Sequence, residues 1–342
     1  MGILLHFRLK LIQLVSFFCF PPQAGKIFFS TFISGSVAYD TILRFDGVFA
    51  DHLLAGSLNT INLTFQTPNM DKHFGGCAAN IAYSLKMTGG EPLIVTTVGK
   101  DSQDYLNHLQ SLAIRTDGIK IIKNAFTPQA FITTDRLGNQ MTAFHEGAMA
   151  WADQALPTEN EKLDWAIVTP TATPVMKAHI NYLNEHRIPT IWDMGQASAY
   201  LSGQDIGWFL EHVDVLTLSS YEWDVLKQKT GLDIKSVAQK LTATIITKGD
   251  KGALLYANGD SDYFPALTLN GPTYPVGCGD AFRGGLLRGL TLRWDWTDTL
   301  HLATLMGAIK AQSPEAQGYS VTTDEIARRF ERAFGKTVNL KD

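Results

Sequence analysis

Val276-Gly277-Cys278-Gly279-Asp280-Ala281-Phe282-Arg283-Gly284-Gly285 places an aspartate between a glycine turn and a run that reads as helix. Gly277 and Gly279 allow a sharp turn that points successive backbone N–H groups one way. Ala281, Phe282, Leu286, Leu287 and Leu290 continue it at helical spacing. A helix start adds its own free N–H groups and the positive end of its dipole, so the turn is a ready anion hole. A carboxylate at the lip of such a hole can take a proton from a hydroxyl while the amides hold charge growing on a phosphate. The stretch therefore points to phosphoryl transfer to an alcohol. A helix N-terminus with an acidic cap and a tight turn satisfies the same ten residues.

The flanking sequence supplies the frame. Lys26 to Val37 reads as a buried first strand ending at Gly35-Ser36, and Leu93 to Val98 as a fully buried strand. Trp165–Thr169, Thr190–Asp193, Val213–Leu218 and Thr244–Thr247 are short apolar strands, with helical segments such as Thr173–His186 and Tyr221–Lys229 between them. Repeated strand–helix units predict an α/β fold with a mostly parallel central sheet between two helical layers. Two regions, about 45–72 and 119–147, read instead as alternating half-wet strands, with a turn at Asp135–Asn139. These predict a small appended β-sheet lid. Gly35–Asp40, Asp193–Gln196, Ser219–Glu222, Thr247–Gly252 and Gly277–Asp280 all follow strands, where doubly wound sheets bind ligands.

The bulk properties exclude several classes. The chain has 342 residues, 45% hydrophobic and 18% charged, with net charge −4 and no run of Lys or Arg. Neither nucleic acid nor an anionic membrane is favoured as a partner. Cys19, Cys77 and Cys278 are odd in number and widely spaced, which argues against a disulfide framework or zinc site and fits a reducing compartment. Residues 1–26 carry Arg8 and Lys10, an apolar run from Leu11 to Phe20, and Pro21-Pro22. They read as an extension outside the fold, with residues 27–342 as the domain. A secretory signal or peripheral anchor is the other reading of that segment.

Taken together these motifs resemble the ribokinase-like (PfkB) carbohydrate kinase family. Gly277-Cys278-Gly279-Asp280 is similar to its anion hole plus catalytic aspartate, and Gly75-Gly76-Cys77-Ala78-Ala79-Asn80 to its Gly-Gly signature. Gly35-Ser36 with Asp40 looks like its opening strand end, and Thr247-Lys248-Gly249 with Gly252 like its nucleotide loop. Gly35–Asp40, Tyr221–Asp224 and Gly279–Arg283 look most like the bacterial adenosine kinase branch, whose members are often labelled sugar kinases.

The resemblance implies a three-layer sandwich with a β-sheet lid, ATP and Mg²⁺ as cofactors, and a cytoplasmic enzyme, with dimerisation through the lid open. The implied reaction is phosphorylation of a nucleoside or sugar hydroxyl, foremost the 5′-hydroxyl of adenosine. Asp280 would be the general base, with the Gly277, Cys278 and Gly279 amides holding the phosphoryl group. Asp40, Gly75, Gly76 and Asn80 would hold sugar hydroxyls, and Phe65, Phe131 and Phe144 would stack on a purine or simply pack the sheet. Glu222 would position Mg²⁺ through water, while Ser219, Thr247, Gly249 and Gly252 would line the nucleotide. Arg283 would reach a phosphate or the surface.

The chain departs from the family pattern at Tyr274 and Val276, where a polar residue and Thr are usual, at Ser219 in place of Asn, and at Met194 in place of Pro. These departures keep two alternatives in view: a kinase of a ribose- or fructose-type sugar, and a non-catalytic nucleoside-binding relative. A dinucleotide-dependent oxidoreductase is disfavoured, because no Gly-x-Gly-x-x-Gly follows the first strand.

Overall fold

The computed structural model describes residues 29–52, 63–158 and 160–341. Phe32 and Ile33 are neighbours on β1 (Ser30–Ser34), so their side chains leave opposite faces of the strand, and both are fully buried. A strand buried on both faces needs a layer on each side. The same split recurs on β4 (Pro92–Gly99), β8 (Leu163–Val168), β9 (Thr190–Asp193), β10 (Val215–Ser219) and β11 (Ala243–Thr247). Ile33, Ile94, Ile167, Ile191, Val215 and Ile245 pack on one side with α1 (Cys77–Met87), α2 (Gln103–Ser111), α7 (Cys278–Thr291) and α8 (Trp296–Ala311). Phe32, Leu93, Val168, Trp192, Leu216 and Ile246 pack on the other with α3 (Thr173–Glu185), α4 (Gly203–His212), α5 (Ser220–Thr230) and α6 (Ile234–Ala238). The expected three layers are present. A further apolar cluster seats α9 (Thr323–Phe334) through Ile326 and Phe330 against Leu302, Leu305 and Met306 of α8.

With β5 (Ile119–Ile122), β12 (Ala253–Ala257) and β13 (Asp260–Phe264), the large sheet has nine strands among the described residues, in the order β13-β12-β11-β10-β9-β8-β1-β4-β5. Its pairings are parallel from β5 to β11, and antiparallel at the far edge through β12 and β13. A separate four-stranded sheet has the order β3-β2-β6-β7, built from β2 (Ala38–Arg44), β3 (Asn69–Gly75), β6 (Gln129–Thr134) and β7 (Gln140–His145). The chain enters this small sheet directly after β1, leaves it into α1, re-enters after β5 and leaves again after β7.

The sequence-based bounds for the small sheet need correction. Its first strand begins at Ala38, before position 45, because the backbone turns at Gly35–Val37 and crosses to the second sheet. Asp40 therefore lies within a strand of that sheet rather than in a loop. Ile119–Ile122 belongs to the large sheet, where it pairs in parallel with Thr96–Gly99. Leu63–Gln66 forms no strand, and the alternating pair Ile61-Asn62 lies outside the described residues, as do residues 1–26. The first strand occupies Ser30–Ser34 of the span expected for it.

No helix among the described residues is long and apolar enough to cross a membrane.

Candidate active site

α7 begins at the turn that opened the sequence reading. Gly277 caps it in the left-handed region (φ 81°), and a Cβ there would lie 2.8 Å from the Ala316 Cβ, so neither the conformation nor the space admits a side chain. The Cys278 N–H closes onto the Pro275 carbonyl (3.1 Å) and the Ala281 N–H bonds the Gly277 carbonyl (2.9 Å). Gly279 and Asp280 then supply the first-turn amides, which have no intrahelical acceptor by helix geometry. Cys278 contributes less than expected: its amide serves the turn, and its thiol faces the Tyr274 carbonyl at 3.2 Å.

The Asp280 carboxylate is half-buried and held. Asn80 Nδ2 donates to its Oδ2 at 2.9 Å. Asn80 Oδ1 accepts from Gln317 Nε2 (2.9 Å), and that nitrogen also donates to the Tyr105 hydroxyl (2.9 Å). The Tyr105 hydroxyl in turn donates to the Gly75 carbonyl (2.6 Å), and His108 Nε2 meets Gln317 Oε1 (2.9 Å). Both ends of the Asn80 amide are thus engaged. Asn80 lies in the cleft wall and also orients the Asp280 carboxylate, keeping one N–H and one lone pair beyond these two bonds. Burial pushes the Asp280 carboxyl above its ordinary range, with Arg283, Asn80 and Lys310 pulling it back.

A cleft of about 930 Å³ opens above Asp280. Its walls bring together Asp40, Gly76, Asn80, Phe144, Glu222, Gly277, Gly279, Asp280 and Arg283 from both sheets. Asp40 hangs from β2 over the end of β3, so close that a Cβ on Gly75 would lie 2.2 Å from its Oδ2. Burial drives the Asp40 pKa up to about 6, with His73 pulling it down and Asp280 pushing it up. Ser36 ties the entry of α1 to the end of β1: its hydroxyl accepts from Cys77 N (3.0 Å) and its carbonyl from Ala78 N (3.1 Å). Burial raises the Cys77 thiol far above its ordinary range, which keeps it protonated.

Of the three phenylalanines, only Phe144 lines the cleft, together with Ala130, Ile132 and Thr142 on the same sheet face. Phe131 alternates to the outer face. Phe65 packs with Phe45 and Phe49, at ring-centroid distances of 4.7 and 5.1 Å. Gln196 lines the cleft from the expected Asp193–Gln196 loop, and Tyr200 and Thr171 line it as well although they carried no sequence signal.

A second hollow of about 570 Å³ is lined by Ser219, Ser220, Tyr221, Thr247, Lys248, Gly249, Asp250 and Lys251. Gly252 does not line it; its carbonyl accepts from Lys248 N (2.7 Å) and shapes the loop. The N-terminus of α5 joins the two hollows. Glu222 Oε2 accepts from Ser219 N (2.7 Å) and Ser219 Oγ from Glu222 N (3.3 Å), a reciprocal capping box. Ser219-x-x-Glu222 is therefore first a helix start, and one Glu222 oxygen is left to face the cleft. No group of three acidic, His or Cys side chains with metal-binding geometry occurs among the described residues.

Two basic residues escaped sequence reasoning in whole or part. Lys310, fully buried near the end of α8, donates to the Tyr274 carbonyl (3.0 Å) and the Ser313 carbonyl (2.9 Å), fastening the strand of chain that leads into Gly277. Arg283 is buried in the cleft floor, not on the surface, with Nη2 on Asp193 Oδ1 at 2.6 Å.

This combination of helix-end amides, half-buried carboxylate and two-sheet cleft agrees with comparison to known proteins. The model of the pfkB family carbohydrate kinases matches residues 51–324. The chain belongs to this family. A Burkholderia thailandensis nucleoside kinase solved in complex with inosine is 37% identical, with TM-score 0.81, over 90% of this chain and 99% of that one. A nucleoside kinase of Methanocaldococcus jannaschii is 27% identical over 284 residues, 79% of this chain and 90% of its relative. A Thermotoga maritima ribokinase, at 22% identity and TM-score 0.75, shares the fold, which is ribokinase-like. Gly277, Gly279 and Asp280 share one cleft with Gly76, Cys77 and Asn80.

Proposed function

We propose that this pfkB-family protein is an ATP-dependent nucleoside kinase that phosphorylates the 5′-hydroxyl of a purine nucleoside, with adenosine the first acceptor to test. The observation that carries the reading is the Asp280 carboxylate, aligned by Asn80 at a helix start, on the floor of a cleft roofed by the small sheet. The inosine bound by a relative at 37% identity supports a purine nucleoside over a free sugar.

The acceptor hydroxyl gives its proton to Asp280 as its oxygen bonds to the γ-phosphorus, and the bond from that phosphorus to the bridging oxygen breaks, releasing ADP. The Gly279 and Asp280 amides face the charge that develops. Asp40 accepts hydrogen bonds from the ribose diol, since one carboxylate serves two hydroxyls. Phe144 offers a face to the base. The hollow at Thr247 and Gly249 takes the nucleotide. Mg²⁺, when bound, neutralises phosphate charge. Glu222 suits it: with no three-residue cage among the described residues, it would position the ion through water, and the ion would keep waters and phosphate oxygens, as Mg²⁺ ordinarily does. A cytosolic setting, where ATP is available, belongs to the same reading.

Coupled ADP release with ATP and Mg²⁺ against adenosine, inosine, cytidine, ribose and fructose tests the proposal. Turnover of purine nucleosides is expected. Turnover of sugars alone discards the nucleoside assignment, and no turnover from folded protein that still binds an acceptor favours the binding-only relative.

Asp40 supplies a pH test. With a pKa of about 6 in the free protein, it loses its charge as pH falls through that value. Acceptor KM is expected to rise below about pH 6, and kcat/KM to fall with it. In Asp40→Asn, KM should be high and flat from about pH 5 to about pH 8. A wild-type KM that is flat across that range would remove Asp40 from acceptor binding.

The small sheet also presents Met70, Phe131 and Met141 on its outer face, each more than a third exposed. We take this face as the contact of a homodimer; a monomer in sedimentation at micromolar concentration would reject it.

A further inference from the structure

We propose that Arg283 is a catalytic residue, its guanidinium closing the anion hole from the side and donating to the transferring phosphoryl group. The proposal rests on the kinase reading above and deepens it.

Arg283 stands four residues after Gly279 on α7, so the two share a helix face. Its fork lies flush on the turn: a Cβ at Gly279 would sit 2.8 Å from Arg283 Nη1. A side chain at the second glycine of the Gly-x-Gly-Asp turn would therefore push the guanidinium from its place. The guanidinium lines the cleft although the residue is only 7% exposed.

A guanidinium has five donors in a fixed fork, and a purely structural pair with a carboxylate is best made with two parallel bonds. Here only Nη2 reaches Asp193, through one oxygen. Nε is buried with no acceptor among the described residues. Asp193 is itself 3% exposed at the end of β9, so it holds the fork in place from below while Nη1 lies against Gly279, which lines the cleft. Asp193, Asp280 and Glu222 all act electrostatically on this one cation. A dianionic phosphoryl group entering among three carboxylates needs a fixed positive charge at the point of transfer, and Arg283 is the basic residue that lines the cleft among the described residues.

During transfer the acceptor oxygen bonds to phosphorus, the bond to the bridging oxygen of ATP breaks with its electron pair leaving on ADP, and the acceptor proton goes to Asp280. Arg283 Nη1 donates to a non-bridging oxygen throughout, most strongly as charge spreads over those oxygens.

The test uses Arg283→Met, the paired Arg283→Met/Asp193→Leu, and Arg283→Lys. The paired variant removes both buried charges, so a folded protein is kept where a lone buried carboxylate would destabilise it. Folded variants lacking Arg283 are expected to lose about 10²- to 10³-fold in kcat, as for loss of a transition-state donor, with both KM values within about threefold. The loss should be the same from about pH 6 to about pH 9. Arg283→Lys, which keeps the charge without the fork, should still lose about tenfold.

Two results overturn the proposal with the kinase reading intact. One is a kcat within about threefold of wild type. The other is a loss that disappears at about pH 9, which would mean that Arg283 only keeps Asp280 ionised. Absence of turnover by the wild-type protein would instead remove the kinase reading, and this proposal with it.

Discussion

Asp280→Asn is expected to lower kcat by about 10²- to 10⁴-fold with acceptor KM little changed, the range for loss of a positioned general base. The fold should survive. The amide is nearly the same shape, and its oxygen can still accept from Asn80. The effect on stability has a definite sign. Because burial raises the carboxyl pKa, the stabilising contribution of Asp280 is present at low pH and lost as pH rises through that raised value. At pH 8 the wild-type protein therefore carries a desolvated charge that the amide lacks. The variant should melt at or above the wild-type temperature there, with turnover gone. Steady-state kinetics and thermal melts at pH 8 check both parts. A kcat within tenfold of wild type would mean that another group takes the proton.

Lys310→Met is expected to cost both stability and rate. The ammonium satisfies two backbone carbonyls, those of Tyr274 and Ser313, in a place water does not reach. Each lost bond from a charged donor is worth about 1.5–3 kcal/mol, and part returns because burying the ammonium is itself unfavourable. A net loss of about 2 kcal/mol follows, or a Tm lower by about 3 °C for a chain of this size. The rate loss comes from position. Lys310 holds the carbonyl of Tyr274 three residues before Gly277, and its Cε would lie 3.5 Å from a Cβ there. A slackened turn misplaces the Gly279 and Asp280 amides, so kcat should fall about 10- to 100-fold while acceptor affinity holds. Ammonium or a small amine entering the vacated space should restore part of the rate. An unchanged kcat with a lowered Tm would limit Lys310 to a structural role.

Local sequence exposed the parts of this molecule that depend on local physics. The strands of the large sheet are runs such as Pro92–Gly99, buried along their whole length, so they stand out without knowledge of their partners. The Gly277–Asp280 turn was legible because glycine at a helix start has few other uses. The small sheet was harder. Asn69–Gly75 reads Asn-Met-Asp-Lys-His-Phe-Gly, without apolar alternation, and it is a strand because β2 pairs with it residue for residue. The role of Asn80 depended on Gln317, 237 positions away, and that of Arg283 on Asp193, 90 away. The Ser219–Glu222 pattern was visible but served the helix end as well as any metal, and spacing alone does not separate the two.

The small sheet joins the large one through four connectors: after β1, before α1, after β5 and after β7. A plate fixed at four corners rocks by slight bending at each; it does not swing like a door on one pin. Cutting or stiffening any single connector would leave three that still hold the plate over the cleft. The two strands that carry Asp40 and lead into the Asn80 helix are also consecutive in the chain. A tilt that brings the acceptor's anchor down therefore bears on the same segment that steadies the base. Grip on the acceptor and alignment of Asp280 are in this sense one mechanical quantity, shared among short pieces of backbone that no single residue controls.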